Sequence, residues 1–285
     1  MKIPFTKMHG AGNDYIYINC LDGIDFSPPA LAKLMSPRRF SVGADGVILI
    51  CASDIADAKM RIFNLDGSEG KMCGNGIRCV GKYLYEKGIV KKKSLAVETL
   101  AGVKKLSLDV AGGTVRRVSV DMGKAELRAD KIPVLSLSDT VIGAPLEIDG
   151  QTYVLTCVSM GNPHAVTFVK NAGELDVIKA GAAIARCGLF PEGVNVEFAE
   201  AAGKNELFCR VFERGSGETL SCGTGACAAA VAGVLDGRCN TDAPITVRLR
   251  GGELYVTVTR ELFVTLSGGA ETVYEGVYEY ACADK

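Results

Sequence analysis

Two short stretches carry residues whose types and spacing suit acid–base chemistry. "KMCGNGIRC" runs from Lys71 to Cys79 and "LSCGTGAC" from Leu220 to Cys227, so Cys-Gly-x-Gly occurs once in each half of the 285-residue chain. Each copy follows a Gly/Ser-rich loop and opens a helical pattern, which puts Cys73 and Cys222 at or just before a helix N-terminus. The glycines that follow, Gly74 and Gly76 or Gly223 and Gly225, let the backbone approach a ligand closely. Helix-start N–H groups lack intrahelical acceptors and, with the positive end of the dipole, favour both a thiolate and a bound carboxylate. A free thiol has a pKa of about 8.5, and such a position lowers it toward neutrality. One cysteine before a glycine would read as an inert buried thiol; the matched pair supports a functional reading. Two thiols facing one carbon, one ionised and one protonated, suit removal of a proton from one face and its return to the other, which is racemisation or epimerisation. N–H donors around an amino acid's carboxylate would stabilise the developing carbanion. Cys79 and Cys227 lie inside the helices and read as structural.

The two motifs belong to a longer repeat. The offset that carries Cys73 onto Cys222 also carries Gly12 and Asn13 onto Gly161 and Asn162, Phe63 onto Phe212, Glu69 onto Glu218 and Gly102 onto Gly251, without a gap. Such self-similarity points to duplication, with two similar halves sharing one chemistry. Each half has short β-rich runs ("YIYIN", "GVILIC", "MRIFN"; then "YVLTCV", "AVTFV", "NVEFAE", "LFCRVF") with a helical segment inserted ("PPALAKLM"; then "ELDVIKAGAAIARCG"). In the motif helix of the first half, Ile77, Val80 and Leu84 fall at helical spacing and Gly88 is the stop. Its counterpart "TGACAAAVAGVLDG" is apolar nearly all round, which predicts a buried helix wrapped by the strands of its own half. Gly-rich turns between period-two runs close each half with hairpins. The fold expected is α+β, with two pseudo-symmetric domains, each a mainly antiparallel barrel or sandwich around a central helix, and the active site in the cleft between them. The boundary is expected near Met122 to Asp130, giving residues 1–124 with Cys73 and 125–271 with Cys222.

Composition narrows the function classes. A 48% hydrophobic content suits a folded globular protein, and a net charge of −1 with no basic block beyond Lys91–Lys93 argues against nucleic acid or anionic membrane as partner. No segment approaches the roughly 18 to 20 apolar residues of a membrane helix, so a cytoplasmic protein is expected. Eleven cysteines, an odd number without tight spacing, argue for free thiols, with Cys20, Cys51 and Cys157 as small core residues. With no CxxC and only His9 and His164, a zinc site is not expected. "GTGACA" and "GAGNDY" lack the context or the third glycine of a dinucleotide fingerprint, and there is no P-loop, so neither metal nor cofactor is expected.

At these residues the chain resembles the diaminopimelate epimerase family. "KMHGAGNDY", "GADG", "FNLDGSEGKMCGNGIRC", "SMGNPHAV", "PEGVNVEF" and "VFERGSGETLSCGTGACA" occur in the family's order across nearly the whole chain. Related proline racemases look different, typically with "MCGH" in the first motif. The resemblance implies cofactor-independent, two-base interconversion of LL- and meso-diaminopimelate by Cys73 and Cys222, serving lysine and peptidoglycan precursor synthesis. It also implies that the reacting carboxylate rests on backbone N–H groups of Gly74, Asn75, Gly223 and Thr224. Asn64, Asn162, Asn195 and Arg214 would hold the distal end, Glu213 would face an ammonium group, Asn13 would line the site and His164 would support the cysteines. A homodimer, and a C-terminal strand over 272–285 that belongs with the first domain, follow from the same resemblance. One position departs: where many members have Gln after the aspartate of "GADG", this chain has Gly46, which the repeat offset places opposite Asn195. Two other readings remain at this stage, a same-fold racemase of another amino acid such as histidine, and a non-enzymatic thiol or ligand-binding protein.

Overall fold

A computed structural model of the chain describes residues 1–280; residues 281–285, the end of the expected C-terminal strand, lie outside the described residues. In chain order the elements are β1 (Lys2–Gly10), β2 (Asn13–Cys20), α1 (Pro28–Met35), β3 (Gly46–Cys51), β4 (Ala58–Asn64), β5 (Glu69–Gly70), α2 (Gly74–Glu86), β6 (Ser94–Thr99), β7 (Gly102–Ala111) and β8 (Thr114–Lys124). Then follow β9 (Ala144–Ile148), β10 (Gln151–Ser159), β11 (Pro163–Phe168), α3 (Val177–Ala185), β12 (Asn195–Gly203), β13 (Glu206–Glu213), β14 (Gly217–Thr219) and α4 (Gly223–Leu235). The last are β15 (Pro244–Leu249), β16 (Gly252–Val258), β17 (Phe263–Gly268) and β18 (Glu271–Glu279). The chain divides into two units, Met1–Val120 with the segment from Gly268 onward, and Asp121–Ser267.

In the first unit the strands pair in the order β18, β1, β2, β3, β4, β6, β7, β8, with β5 also on β4. In the second the order is β9, β10, β11, β12, β13, β15, β16, with β14 also on β13. Most pairs are antiparallel, but β2–β3 and β4–β6 are parallel, and so are their counterparts β11–β12 and β13–β15. A parallel pair requires a crossover, and the helices supply it: α1 or α3 between the first pair, α2 or α4 between the second. Apolar periodicity reports which face a strand buries and not its direction, so these ladders are not visible in the pattern.

The sequence repeat is also a repeat of pairing. Tyr15 lies opposite Gly46 in the first unit and His164 opposite Asn195 in the second, at the same offset as the two cysteines. Arg61 bridges β4 to β5 through Glu69, with Nε to Oε1 at 2.7 Å, and Arg210 does the same for β13 and β14 through Glu218 at 2.8 Å.

Each sheet is covered in a way that fixes its motif helix. In the first unit Leu31, Ala32 and Met35 of α1 pack on Ile16, Ile18, Val47 and Leu49. Period-two alternation turns Tyr17 and Ile48 to the opposite face, toward α2, where the Tyr17 hydroxyl donates to the Gly76 carbonyl at 3.2 Å. In the second unit α3 sets Val177 and Ile184 against Val196 and Phe198. Every residue of α4 from Ala226 to Ala232 is fully buried, as its all-round apolar pattern predicts.

Several glycines allow close approach, and three of them bear on the motif helices and the strand beside them. A Cβ on Gly76 would stand 2.6 Å from Ile48 Cδ1, and one on Gly225 2.6 Å from Glu197 Oε1. At Gly46 it would stand 2.2 Å from the Phe63 carbonyl oxygen, a backbone atom that yields only if β3 and β4 separate. Gly46→Ala is therefore expected to destabilise the protein by about 2–3 kcal/mol, toward the upper end of overpacking costs. Urea denaturation at constant slope measures this, and an unchanged midpoint would refute the close-approach account.

Candidate active site

Cys73 is the N-cap of α2, and Cys222 is the N-cap of α4. Both have extended backbone there, with φ of −136° and −123°, which turns the side chain back over the first helical turn. The Gly76 N–H donates to Cys73 Sγ at 3.2 Å and the Gly225 N–H to Cys222 Sγ at 3.4 Å. Sulfur thus takes the place that a Ser or Asp oxygen holds in an ordinary helix cap. The lowered thiol pKa expected for this position is not what the surroundings produce, because burial outweighs the helix start at both cysteines.

In the first unit, burial pushes the Cys73 thiol up; the Gly76 and Asn75 N–H groups, the Tyr15 hydroxyl and the Arg78 cation oppose it. Tyr15 is itself pushed well up by burial, with Cys73 and Asp45 adding to the effect, so it remains an O–H donor. Cys73 Sγ in turn donates to Asn13 Oδ1 at 3.2 Å. Gly74 and Asn75 lie buried in the first turn of α2. Asn64, at the end of β4, donates to Ser68 Oγ at 3.0 Å within its own turn.

In the second unit the surroundings are more acidic. Burial pushes Cys222 well up, the Glu213 and Glu197 carboxylates push it further, and Thr224 with the Gly225 N–H opposes. Thr224 Oγ1 lies 3.4 Å from Cys222 Sγ. Burial also raises Glu213, with the Thr219 hydroxyl opposing the shift by donating to Oε1 at 2.7 Å. Asn162 Nδ2 donates to Thr224 Oγ1 at 3.3 Å while its Oδ1 meets His164 Nε2 at 3.1 Å. Asn195 Oδ1 accepts the Arg214 backbone N–H at 3.1 Å, and the exposed Arg214 side chain donates from Nη1 to the Glu192 carbonyl at 2.9 Å.

The structure therefore gathers Cys222, Gly223, Thr224, Asn162, His164 and Glu213 in one unit, with Asn195 and Arg214 bonded to each other beside them. Cys73, Gly74, Asn75 and Asn13 gather in the other. Three neighbours of these clusters were not foreseen. Glu197 is fully buried and meets His164 Nδ1 at 2.7 Å, and its Oε2 has no hydrogen-bond partner among the described residues. A carboxylate flanked by Val196 and Phe198 was the available signal. Tyr15 was legible too, since the repeat offset carries it onto His164. Asp45, the acceptor for Asn13 Nδ2 at 2.7 Å, left no periodic trace. Among the described residues no cluster of His, Cys, Asp and Glu could hold a metal ion, and no helix is long and apolar enough to cross a membrane. The ten described cysteines are free.

Comparison with known proteins places this arrangement. The family model for diaminopimelate epimerase matches residues 5–128 and 156–273. A diaminopimelate epimerase of Geobacillus sp. (strain WCH70) is 49% identical over 282 residues, covering 98% of this chain and 99% of the relative. One from Methanococcus maripaludis (strain S2 / LL) is 47% identical over 275 residues, covering 96% and 99%. Among solved structures, a probable proline racemase from Agrobacterium radiobacter K84 matches with a TM-score of 0.72 at 19% identity, covering 98% of this chain and 93% of that one. A hydroxyproline epimerase from Agrobacterium vitis also gives 0.72, at 16% identity, with 97% and 91% covered. These two structures share the fold, and the sequence relatives fix the family: the chain belongs to the diaminopimelate epimerases.

Proposed function

We propose that the protein epimerises diaminopimelate at its α-carbon, with Cys73 and Cys222 as the two acid–base groups. The observation that carries the mechanism is the matched pair of cap thiols, each accepting the N–H of the glycine three residues on. One thiolate takes the α-proton, leaving a carbanion whose charge passes into the adjoining carboxylate; the other cysteine delivers its S–H proton to the opposite face. The N–H groups of Gly74, Asn75, Gly223 and Thr224 are the proposed cradle for that carboxylate, where they stabilise the charge that develops on proton loss. An α-proton is a weak acid, so a thiolate of raised basicity is the better base for it, and burial around both cysteines supplies that basicity. The helix-start donors oppose the shift and keep the thiolate within reach.

Glu213 is proposed to face the substrate ammonium group and to set the protonation of Cys222. Asn64, Asn162, Asn195 and Arg214 are proposed to hold the distal carboxylate, for which Arg offers a planar fork. The unit division supports assigning one half of the machinery to each unit, with residues 1–124 and 272–285 forming the Cys73 half and 125–271 the Cys222 half. Reduced thiols of this kind suit a cytoplasmic setting, and the reaction fits lysine biosynthesis.

Incubation with LL-diaminopimelate in deuterium oxide, followed by NMR, tests the assignment. The α-proton signal is expected to disappear as the meso isomer forms. Exchange with histidine and none with diaminopimelate would transfer the assignment to another substrate, and exchange with no amino acid would refute the enzyme reading.

Glu213→Gln is expected to lower kcat by about 10²-fold or more, the scale of a lost acid–base contribution. Its effect on stability has a defined sign. Because burial holds the Glu213 carboxyl above its ordinary value, its stabilising contribution is full below about pH 4 and is lost as pH rises through the folded-state value. Glu213→Gln should therefore be more stable than the parent at pH 7 and lose that advantage near pH 4, as followed by thermal melts. Equal melting temperatures across that range would contradict the burial assignment.

A further inference from the structure

We propose that Asp45 is a positioning residue for Cys73, acting by fixing which end of the Asn13 side-chain amide meets the sulfur. The inference rests on Cys73 being an acid–base group.

The geometry leaves one arrangement of donors and acceptors. Asp45 Oδ2 lies 2.7 Å from Asn13 Nδ2 and also accepts the Asp14 backbone N–H at 3.2 Å, while Oδ1 accepts Arg38 Nη2 at 2.7 Å. An ionised carboxylate only accepts hydrogen bonds, so the Asn13 atom that faces it must be the NH2 group. The amide's other end, Oδ1, is then turned to Cys73 Sγ at 3.2 Å, and that oxygen also only accepts. The contact is satisfied when Cys73 carries its proton. An inverted amide would set its oxygen against the Asp45 carboxylate and its NH2 against the thiol.

The carboxylate is itself held in place. Arg38 spans two acids, donating from Nη1 and Nη2 to Asp14 at 3.0 and 2.6 Å and from Nη2 to Asp45. Asp14 is further paired with the buried Lys7 ammonium at 2.6 Å, and the Asp45 N–H donates to the Asp14 carbonyl at 2.9 Å. These contacts tie the loop before β3 to the start of β2, one residue from Asn13. They anchor the acceptor of the Asn13 amide.

The consequence concerns how Cys73 divides its time between acid and base. The Gly76 N–H and the Tyr15 hydroxyl favour the thiolate, and the Asn13 carbonyl favours the thiol. A group that must take a proton in one direction of a reaction and give one in the other works best when neither form is locked in. Asp45 maintains the thiol-favouring arm of that balance without touching the sulfur.

The test compares Asp45→Ala and Asp45→Asn with the parent, measuring iodoacetamide modification of Cys73 and Cys222 against pH by site-resolved mass spectrometry, alongside steady-state kinetics. Asp45→Ala frees the amide to turn, so Cys73 should be alkylated at lower pH and roughly tenfold faster at pH 7, on the scale of one hydrogen bond to a charged group. Cys222 should be unchanged, kcat should fall about tenfold and KM should stay within about twofold of the parent. Asp45→Asn still offers a carbonyl oxygen to Asn13 Nδ2 and should keep a Cys73 profile within about threefold of the parent. An unmoved Cys73 profile in Asp45→Ala, a joint shift of both cysteines, or an equal shift in Asp45→Asn would overturn the proposal. The alkylation readout needs no turnover, so a protein inactive on diaminopimelate that still shows the Cys73 shift would refute the substrate assignment and leave the positioning role standing.

Discussion

The structure of each half depends on one hydrogen bond, from the glycine N–H at the third helical position into the sulfur of the capping cysteine. That bond exists only if the helix begins at the residue after the cysteine and its first turn lies hard against the sheet. The second condition explains why the glycine is there. In the first unit the Cβ it lacks would strike Ile48, and in the second it would strike Glu197. Strand pairing, the covering helices and the crossovers that make β2–β3 and β11–β12 parallel all serve to hold a helix start at that depth. A side chain at Gly76 would press on the end of Ile48, and one at Gly225 on the Glu197 carboxylate that meets His164.

Duplication has kept this backbone device and let its surroundings diverge. Where the first unit has Tyr15, Gly46, Ile48 and Asn64, the second has His164, Asn195, Glu197 and Glu213 at the same repeat positions. The first cysteine therefore sits among an amide, a phenol and a nearby cation, and the second among two carboxylates and a histidine. Both thiols are raised by burial, and at Cys222 the negative charge of Glu213 and Glu197 acts in the same direction as desolvation. A reaction whose two directions begin from different stereoisomers has no need for identical bases, and the unequal environments are consistent with that.

Much of this was legible in the residues alone. The repeat offset, the two cap cysteines, the buried character of α4 and the stop at Gly88, whose φ is 70°, are written in spacing and composition. The parallel ladders were not, because alternation of apolar residues is blind to strand direction. The two cap cysteines also show the limit of reading from the helix dipole alone: the dipole lowers a thiol, and only the packed structure reveals that desolvation exceeds it. Asn64 and Arg214, assigned through family resemblance, are engaged in local hydrogen bonds to Ser68 and to the Glu192 carbonyl. Glu197 and Asp45 are hydrogen-bonded to His164 and Asn13, and no spacing rule links a carboxylate to an imidazole or amide on a different segment.

Two thiols, one from each copy of the repeat, are proposed to address opposite faces of one carbon. The most direct measurement is α-proton exchange in deuterium oxide catalysed by Cys73→Ser and by Cys222→Ser, each offered LL- and meso-diaminopimelate separately. With one thiol left, a proton is exchanged on one face and returned to that same face. Each variant should therefore fail to interconvert the isomers, exchange a centre of one configuration only, and do so with the configuration its counterpart ignores. Interconversion at the parent rate by either variant, or exchange of the same configuration by both, would contradict the account.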